Sequence, residues 1–223
     1  MNTIIADTGV LRMPVQVTDL EAFRCWVHSE ALPEDTRACF LDGEVWVDMS
    51  KEQLFSHNQV KSEFNIVLGM LAKTSRGGRY LPDGMLLTNT EANLSSQPNG
   101  LYFSAESLQS GRILLVEGAK SGIVEIEGSA DMVLEIISDS SVEKDTRVLP
   151  DLYFRAGVAE FWRVDARGNT VSFEILRRGF TDFEAVENVG GWLKSDVFGR
   201  AFSLARQSDA MGHPEYTLSH RPA

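Results

Sequence analysis

The sequence predicts an α/β (α+β) domain with one central mixed sheet that carries helices on its faces. Three observations lead there. The stretch SKEQLFSHNQVKSEFNIVLGMLAKTS (50–75) has helical spacing, with an apolar stripe of Leu54, Val60, Phe64, Val67, Leu68 and Leu71 suited to lie on a sheet. Short β-like runs follow at 79–88, 101–104, 112–117, 122–127 and 131–137, separated by Gly, Ser, Asn and Pro. A further helix at 149–157 then precedes more strands, and helices scattered through a strand-rich chain need sheet faces to cover.

The elements can be justified in order. Within VTDLEAFRCWVHSE (17–30), Leu20, Phe23, Trp26 and Val27 fall on one helical face and Asp19 is placed to cap it. Asp42-Gly43 divides 37–49 into two β runs, a strong hairpin signal. The long helix opens on the capping-box pattern Ser50-x-x-Gln53 and stops before Gly77-Gly78, and Asp83-Gly84 reads as a turn. The 149–157 helix has Pro150 in its first turn and Gly157 as its stop. EFWRVD, TVSFEIL and FEAVE (160–187) form an added C-terminal β-meander. The last stretch, SDAMGHPEYTLSHRPA, is polar without periodicity and reads as a surface extension or mobile terminus. The chain divides into an N-terminal helical extension (1–34), one domain (35–206) and a C-terminal tail (207–223).

Composition narrows the function. A formal charge of −11 disfavours a general DNA-coating role, because cationic side chains supply most of that affinity. The basic islands KTSRGGRY (73–80) and ILRRGF (175–180) read as solvated turns. Cys25 and Cys39 are too few for a disulfide framework or a thiolate metal site. No apolar run approaches the roughly 18–20 residues of a membrane span, and the first residues lack a signal-peptide pattern. A cytoplasmic protein without membrane contact is the expectation.

One segment demands a chemical explanation. MVLEIISDSSVEKDT (132–146) begins as a buried strand with Glu135 in its apolar run. A lone buried carboxylate costs several kcal/mol, on the order of the charge-burial penalty, unless it is paired, protonated or metal-bound. An arginine such as Arg155 or Arg163 is one candidate partner, and a cation is the other.

DGEVWVDMS, HNQV, Pro98 with the polar and aromatic residues after it, MVLEIISDSS and LYFRAGVAEFWRVDARG together resemble the Uma2, or DUF820, family of restriction-endonuclease-like proteins. The similarity spans residues 35 to 205, and its most specific block runs from Glu135 to Asp165. The resemblance implies a PD-(D/E)xK nuclease core: a mixed sheet flanked by helices, carboxylates that bind Mg²⁺ or Mn²⁺, and a lysine beside them. DNA is the implied partner, and a homodimer with paired sites is implied by two-strand cleavage.

Carried over residue by residue, the resemblance makes Glu135 a metal ligand. Asn99 stands in the position of the family's Asp, and Glu44 matches a further family acid. The helix lysine slot is Leu149, with Lys144 the nearest replacement. His57 and Asp145 match a family His and Asp as supporting residues, Asp145 orienting Lys144. The expected catalytic set is therefore Glu135, Lys144, Asn99 and Glu44, and the metal set Glu135, Asn99 and Glu44. An amide brings no charge, so the cation should bind weakly. Each residue also has a plainer reading: Asn99 as a turn residue, Glu44 as hairpin surface charge, His57 as a structural helix histidine, Asp139 and Asp145 as local caps. Tyr153 and Trp162 are core by spacing. Two function classes follow, a divalent-metal-dependent endonuclease of weak activity, or a pseudonuclease that keeps the fold as a nucleic-acid or protein-binding module.

Overall fold

The structure, a computed structural model, describes residues 2–6, 9–13, 17–32, 36–48, 51–75, 77–118 and 122–223, the first two stretches as backbone alone. In chain order the elements are β1 (Asn2–Ala6), β2 (Gly9–Met13), α1 (Leu20–Val27), β3 (Arg37–Leu41), β4 (Glu44–Asp48), α2 (Val60–Ser75), β5 (Gly78–Pro82), β6 (Leu86–Asn89), β7 (Leu94–Ser96) and β8 (Gly100–Ser104). They continue with α3 (Ala105–Gln109), β9 (Ile113–Glu117), β10 (Ile123–Gly128), β11 (Met132–Ile136), α4 (Leu149–Arg155), β12 (Glu160–Asp165), β13 (Ser172–Arg178), β14 (Phe183–Ala185), β15 (Asn188–Val189), β16 (Trp192–Ser195), β17 (Arg200–Ser208) and β18 (Pro214–Pro222). Two π-helical turns, Leu54–Gln59 and Lys144–Val148, lead into α2 and α4.

The mixed α+β class is as expected, but the single central sheet is divided. One six-stranded sheet has the order β4-β3-β7-β6-β10-β9 and a second has β14-β13-β12-β11-β8-β5; a four-stranded sheet, β15-β16-β17-β18, and the β1-β2 hairpin complete the set. The division falls at Gln97-Pro98-Asn99. Proline has no N–H for a ladder, and there the chain leaves β7 in the first sheet and enters β8 in the second. The run read as one strand over 79–88 is likewise two, β5 and β6, bent at Gly84, whose φ of 97° suits glycine.

The central strand β11 explains the apolar run around Glu135. It pairs parallel with β12 and antiparallel with β8, and all five of its residues are buried. Met132, Leu134 and Ile136 pack with Trp162, with Val60, Phe64 and Leu68 of α2, and with Phe202 from the third sheet. Val133 points the other way, into a second core with Leu149, Leu152 and Tyr153 of α4 and Leu87 and Leu94 of the first sheet. By the two-residue period of a strand, Glu135 shares that second face.

Several sequence expectations are adjusted by packing. Asp19 caps α1, its carboxylate accepting from the Ala22 N–H at 2.8 Å. Ser50 of the expected capping box lies outside the described residues. Leu54, counted in the apolar stripe, is exposed, because the π-turn beneath α2 carries an extra residue per turn and shifts the helical phase. The N-terminal segment contains the β1-β2 hairpin as well as its helix. Residues 214–222, read as irregular tail, are β18, antiparallel to β17, with Tyr216 and Leu218 buried in the main core. Their alternation is period two, hidden by the polar residues between them. Among the described residues no helix is long and apolar enough to cross a membrane.

Candidate active site

Glu135 lies near the C-terminal end of β11, and the loop that follows brings its neighbours back to it. Ser141 fixes the turn: its Oγ accepts from the Ser138 N–H at 2.9 Å and donates to Asp145 Oδ2 at 2.5 Å. The helical rise that starts there widens into a π-turn over Lys144–Val148, in which the Leu149 N–H reaches Lys144 C=O. Pro150 supplies a reason. Without an N–H it cannot bond the carbonyl of Thr146, and its ring crowds that carbonyl, so the α ladder opens just before it. The result turns Lys144 and Asp145 toward Glu135.

These residues line a cavity of about 340 Å³ together with Asn99 and His57. Its walls come from both six-stranded sheets: Cys39, Trp46 and Ser96 from the first, Glu135 and Ile136 from the second, and Gln97 and Asn99 from the connection between them. The second π-turn, Leu54–Gln59, supplies His57. Such turns are rare and recur at functional sites. Both border this cavity.

Glu135 is only 2% exposed, and its environment answers the question its burial raised. Tyr153 donates its hydroxyl to Glu135 Oε1 at 2.7 Å and shares a 3.1 Å hydrogen bond with Ser96. Neither proposed arginine is its partner: Arg163 stands opposite it in the ladder but turns to Glu174, and Arg155 pairs with Asp42 and Asp151. The positive charge is Lys144, whose Nζ lies 2.7 Å from Asp145 Oδ1. Burial pushes the Glu135 carboxyl up to about 7, the Asp145 charge adds to the rise, and Lys144 only partly offsets it. Burial alone would depress the Lys144 ammonium, but Glu135 and Asp145 outweigh that and raise it. Two acids thus share one lysine. Burial also pushes the neighbouring Cys39 thiol up to about 12, leaving it protonated and unreactive at neutral pH.

Asn99 is at the cavity wall, but its oxygen is already committed. The Ile136 N–H donates to Asn99 Oδ1 at 2.7 Å, stitching the sheet junction to β11. Rotating the amide would set its NH₂ against that N–H and strand a buried donor, at a cost of about 1–3 kcal/mol. Gly100 beside it is required by contact: a Cβ there would stand 2.2 Å from the Tyr80 hydroxyl.

The four expected catalytic residues do not all meet. Glu135, Lys144 and Asn99 line the cavity, as do the supporting His57 and Asp145. Glu44 does not. It is exposed beside the Asp42-Gly43 turn, and Asp48, roughly 13 Å along the same strand at about 3.3 Å per residue, is the β4 acid that lines the cavity. Asp83 holds Arg37 at 2.7 Å and Lys61 at 2.9 Å, outside the lining set. Sequence reading missed Tyr153 as a functional contact because burial alone accounts for its position; the one available signal was a hydroxyl on an otherwise apolar helix face. Asp48, Ser96 and Cys39 carried no signal, since only the meeting of two sheets brings them to Glu135.

A model of the Uma2 family, described as "Putative restriction endonuclease", matches residues 20–206. The chain belongs to the Uma2 family. The crystal structure of a putative nuclease belonging to DUF820 from Anabaena variabilis ATCC 29413 is similar to it in fold, with a TM-score of 0.59 and 17% identity over 81% of this chain and 90% of that one. No curated protein matches the chain.

The donors of this Uma2 protein fit a hard divalent cation at one end only. Glu135 and Asp145 are carboxylates facing one cavity, and the buried Asp145 Oδ1 has no well-aligned hydrogen-bond donor despite its ion pair with Lys144. A third acidic donor is not gathered with them: Asp48 lines the cavity too, but among the described residues no three of His, Cys, Asp and Glu form a metal cluster, and the Asn99 oxygen already accepts from the Ile136 N–H. The set suits a cation completed by water and substrate oxygens rather than an enclosed one.

Proposed function

We propose that this cleft hydrolyses phosphodiester bonds in DNA, with Glu135 and Asp145 holding a weakly bound Mg²⁺ or Mn²⁺ and Lys144 beside the scissile phosphate. The observation that carries the reading is the convergence of Glu135, Lys144 and Asp145 on one cavity. A bound divalent cation supplies charge neutralisation at the phosphate and acidifies water. The chain's own residues do the rest. Lys144 offers a point charge whose present partner, Asp145, can exchange it for a phosphate oxygen. Tyr153 and the Asn99 N–H fix the Glu135 carboxylate in orientation. Ser138 and Ser140, at the cavity wall, present hydroxyls to an incoming phosphate.

The net acidity of the chain bears on how DNA reaches the site. With a formal charge of −11, the protein repels a polyanion unless a cation enters with it, so binding should depend on divalent ions more than on a basic surface. Cleavage of both strands would call for two copies of the chain, and the homodimer is proposed on that ground.

Nicking of supercoiled plasmid in Mn²⁺ and Mg²⁺ tests the reading. Wild type should nick faster in Mn²⁺, and Glu135→Ala and Lys144→Ala should each lower the rate at least ~100-fold, the scale of removing a group that acts on transition-state charge. Rates unchanged by both substitutions would refute it. A second reading, a binding module without turnover, is favoured by the commitment of the Asn99 oxygen to Ile136. Salt-dependent DNA binding with no nicking in either metal would select it.

A further inference from the structure

A second charged network adjoins the cavity. Glu52 accepts from His57 Nδ1 at 3.1 Å and is itself gripped by Lys61 of α2, which also binds Asp83 at 2.9 Å. Lys61 is 7% exposed, a degree of burial a lysine tolerates only when paired. Arg37 completes the group through Asp83. The whole assembly fixes one imidazole. Lys61 and His57 more than offset the effect of burial on the Glu52 carboxyl and hold it down at about 2, so it carries no proton to donate. The hydrogen in the His57–Glu52 contact therefore belongs to Nδ1.

The other ring nitrogen, Nε2, is not used in that contact. His57 lines the same space as Glu135 and Lys144, and among the described residues its Nε2 has no hydrogen-bond partner, yet it is not among the buried atoms cut off from solvent. The charged groups around the ring are Glu52 before it, Lys61 on α2, Arg37 on β3, Asp48 on β4, Lys51 in the segment between, and Glu135, Lys144 and Asp145 across the cavity.

We propose that His57, oriented by Glu52, is the general acid that protonates the leaving oxygen of the cut phosphodiester. This rests on the hydrolytic reading of the cleft. The water oxygen forms its bond to phosphorus as the bond from phosphorus to the leaving sugar oxygen breaks. That oxygen takes the electron pair and receives the Nε2 proton, while the attacking water releases a proton to solvent. The imidazole is left neutral with Nδ1–H still on Glu52, and Nε2 is recharged from solvent. Glu52 is a positioning residue that also stabilises the imidazolium, as a carboxylate behind a catalytic histidine does.

The test compares leaving groups. An alkoxide needs a proton to depart, whereas 4-nitrophenolate does not. His57→Gln should lower kcat on a DNA substrate ~10²–10⁴-fold, the range of a lost general acid, while a 4-nitrophenyl ester of thymidine phosphate loses less than about threefold. Glu52→Gln should move the alkaline limb of the DNA pH profile to lower pH and leave the nitrophenyl ester's profile unchanged. Wild type alone gives a check that does not depend on a variant folding: the alkaline limb should be present for DNA and absent for the ester. Equal losses on both substrates, or a shared limb, would overturn the assignment to His57 while leaving the cleft hydrolytic. Wild type inert on both substrates in Mn²⁺ overturns the hydrolytic reading and this role with it.

Discussion

The proposed chemistry turns on Glu135. Its folded carboxyl stands at about 7 against an ordinary 4.5, raised by burial and the Asp145 charge. A carboxyl raised on folding favours the folded state below its ordinary value, and that contribution is lost as pH climbs from about 4.5 through 7. Glu135→Gln cannot ionise, so at pH 8 it should be more stable than wild type by on the order of 3 kcal/mol, or about 6–12 °C in Tm, with the gain gone at pH 4. Thermal melts across that range check it; a variant less stable than wild type at pH 8 would mean that Lys144 already compensates the charge in full. The acid in an apolar strand was legible as an anomaly from the sequence, while Lys144 was named only through the family resemblance, and the structure places it in the same cavity as Glu135. That Asn99 Oδ1 is spent on Ile136 was not, because hydrogen bonding across a sheet junction depends on how two strands meet in space.

At the scale of elements, the helices that present the site are both entered through π-turns, and neither was visible in the sequence, since a π-turn leaves the apolar pattern of the helix after it intact. Pro150 was read as a first-turn proline, which it is in α4, but its consequence lies upstream in the turn that aims Lys144. Pro150→Ala restores the missing N–H and should let Lys144–Val148 relax toward α geometry, rotating Lys144 out of the cavity by up to about 100°, one helical residue. Plasmid nicking should then fall at least ~10-fold with Tm held or raised; unchanged nicking would show that the turn is not what aims the lysine. β18 is the other element the sequence concealed, its two apolar residues spaced too sparsely among polar ones to announce a strand. Leu218→Ala should cost ~2–4 kcal/mol by urea denaturation, the cost of a cavity in a closed core, whereas an irregular tail would lose less than about 0.5 kcal/mol.

For the whole molecule, two six-stranded sheets meet at Gln97-Pro98-Asn99, and the cleft is where they meet. The α+β class followed from periodicity and the position of Glu135 on a buried strand from its apolar run, while the division into two sheets depended on a proline whose effect is non-local. The same junction carries Asn99, which the proposed reading places where a third acidic ligand would stand. Asn99→Asp adds one formal charge with almost no change in volume: one carboxylate oxygen can keep the Ile136 N–H while the other turns to the cavity. The most direct measurement is Mn²⁺ titration calorimetry paired with plasmid nicking for wild type, Asn99→Asp and Asn99→Asp/Glu135→Ala, with mass spectrometry to exclude deamidation at Asn99-Gly100. The account predicts Mn²⁺ binding at least ~10-fold tighter, the effect of about 1.4 kcal/mol, and faster nicking in Asn99→Asp, with both gains lost in the double variant. Tighter binding that survives loss of Glu135, or no gain in nicking with the metal demonstrably bound, would contradict it.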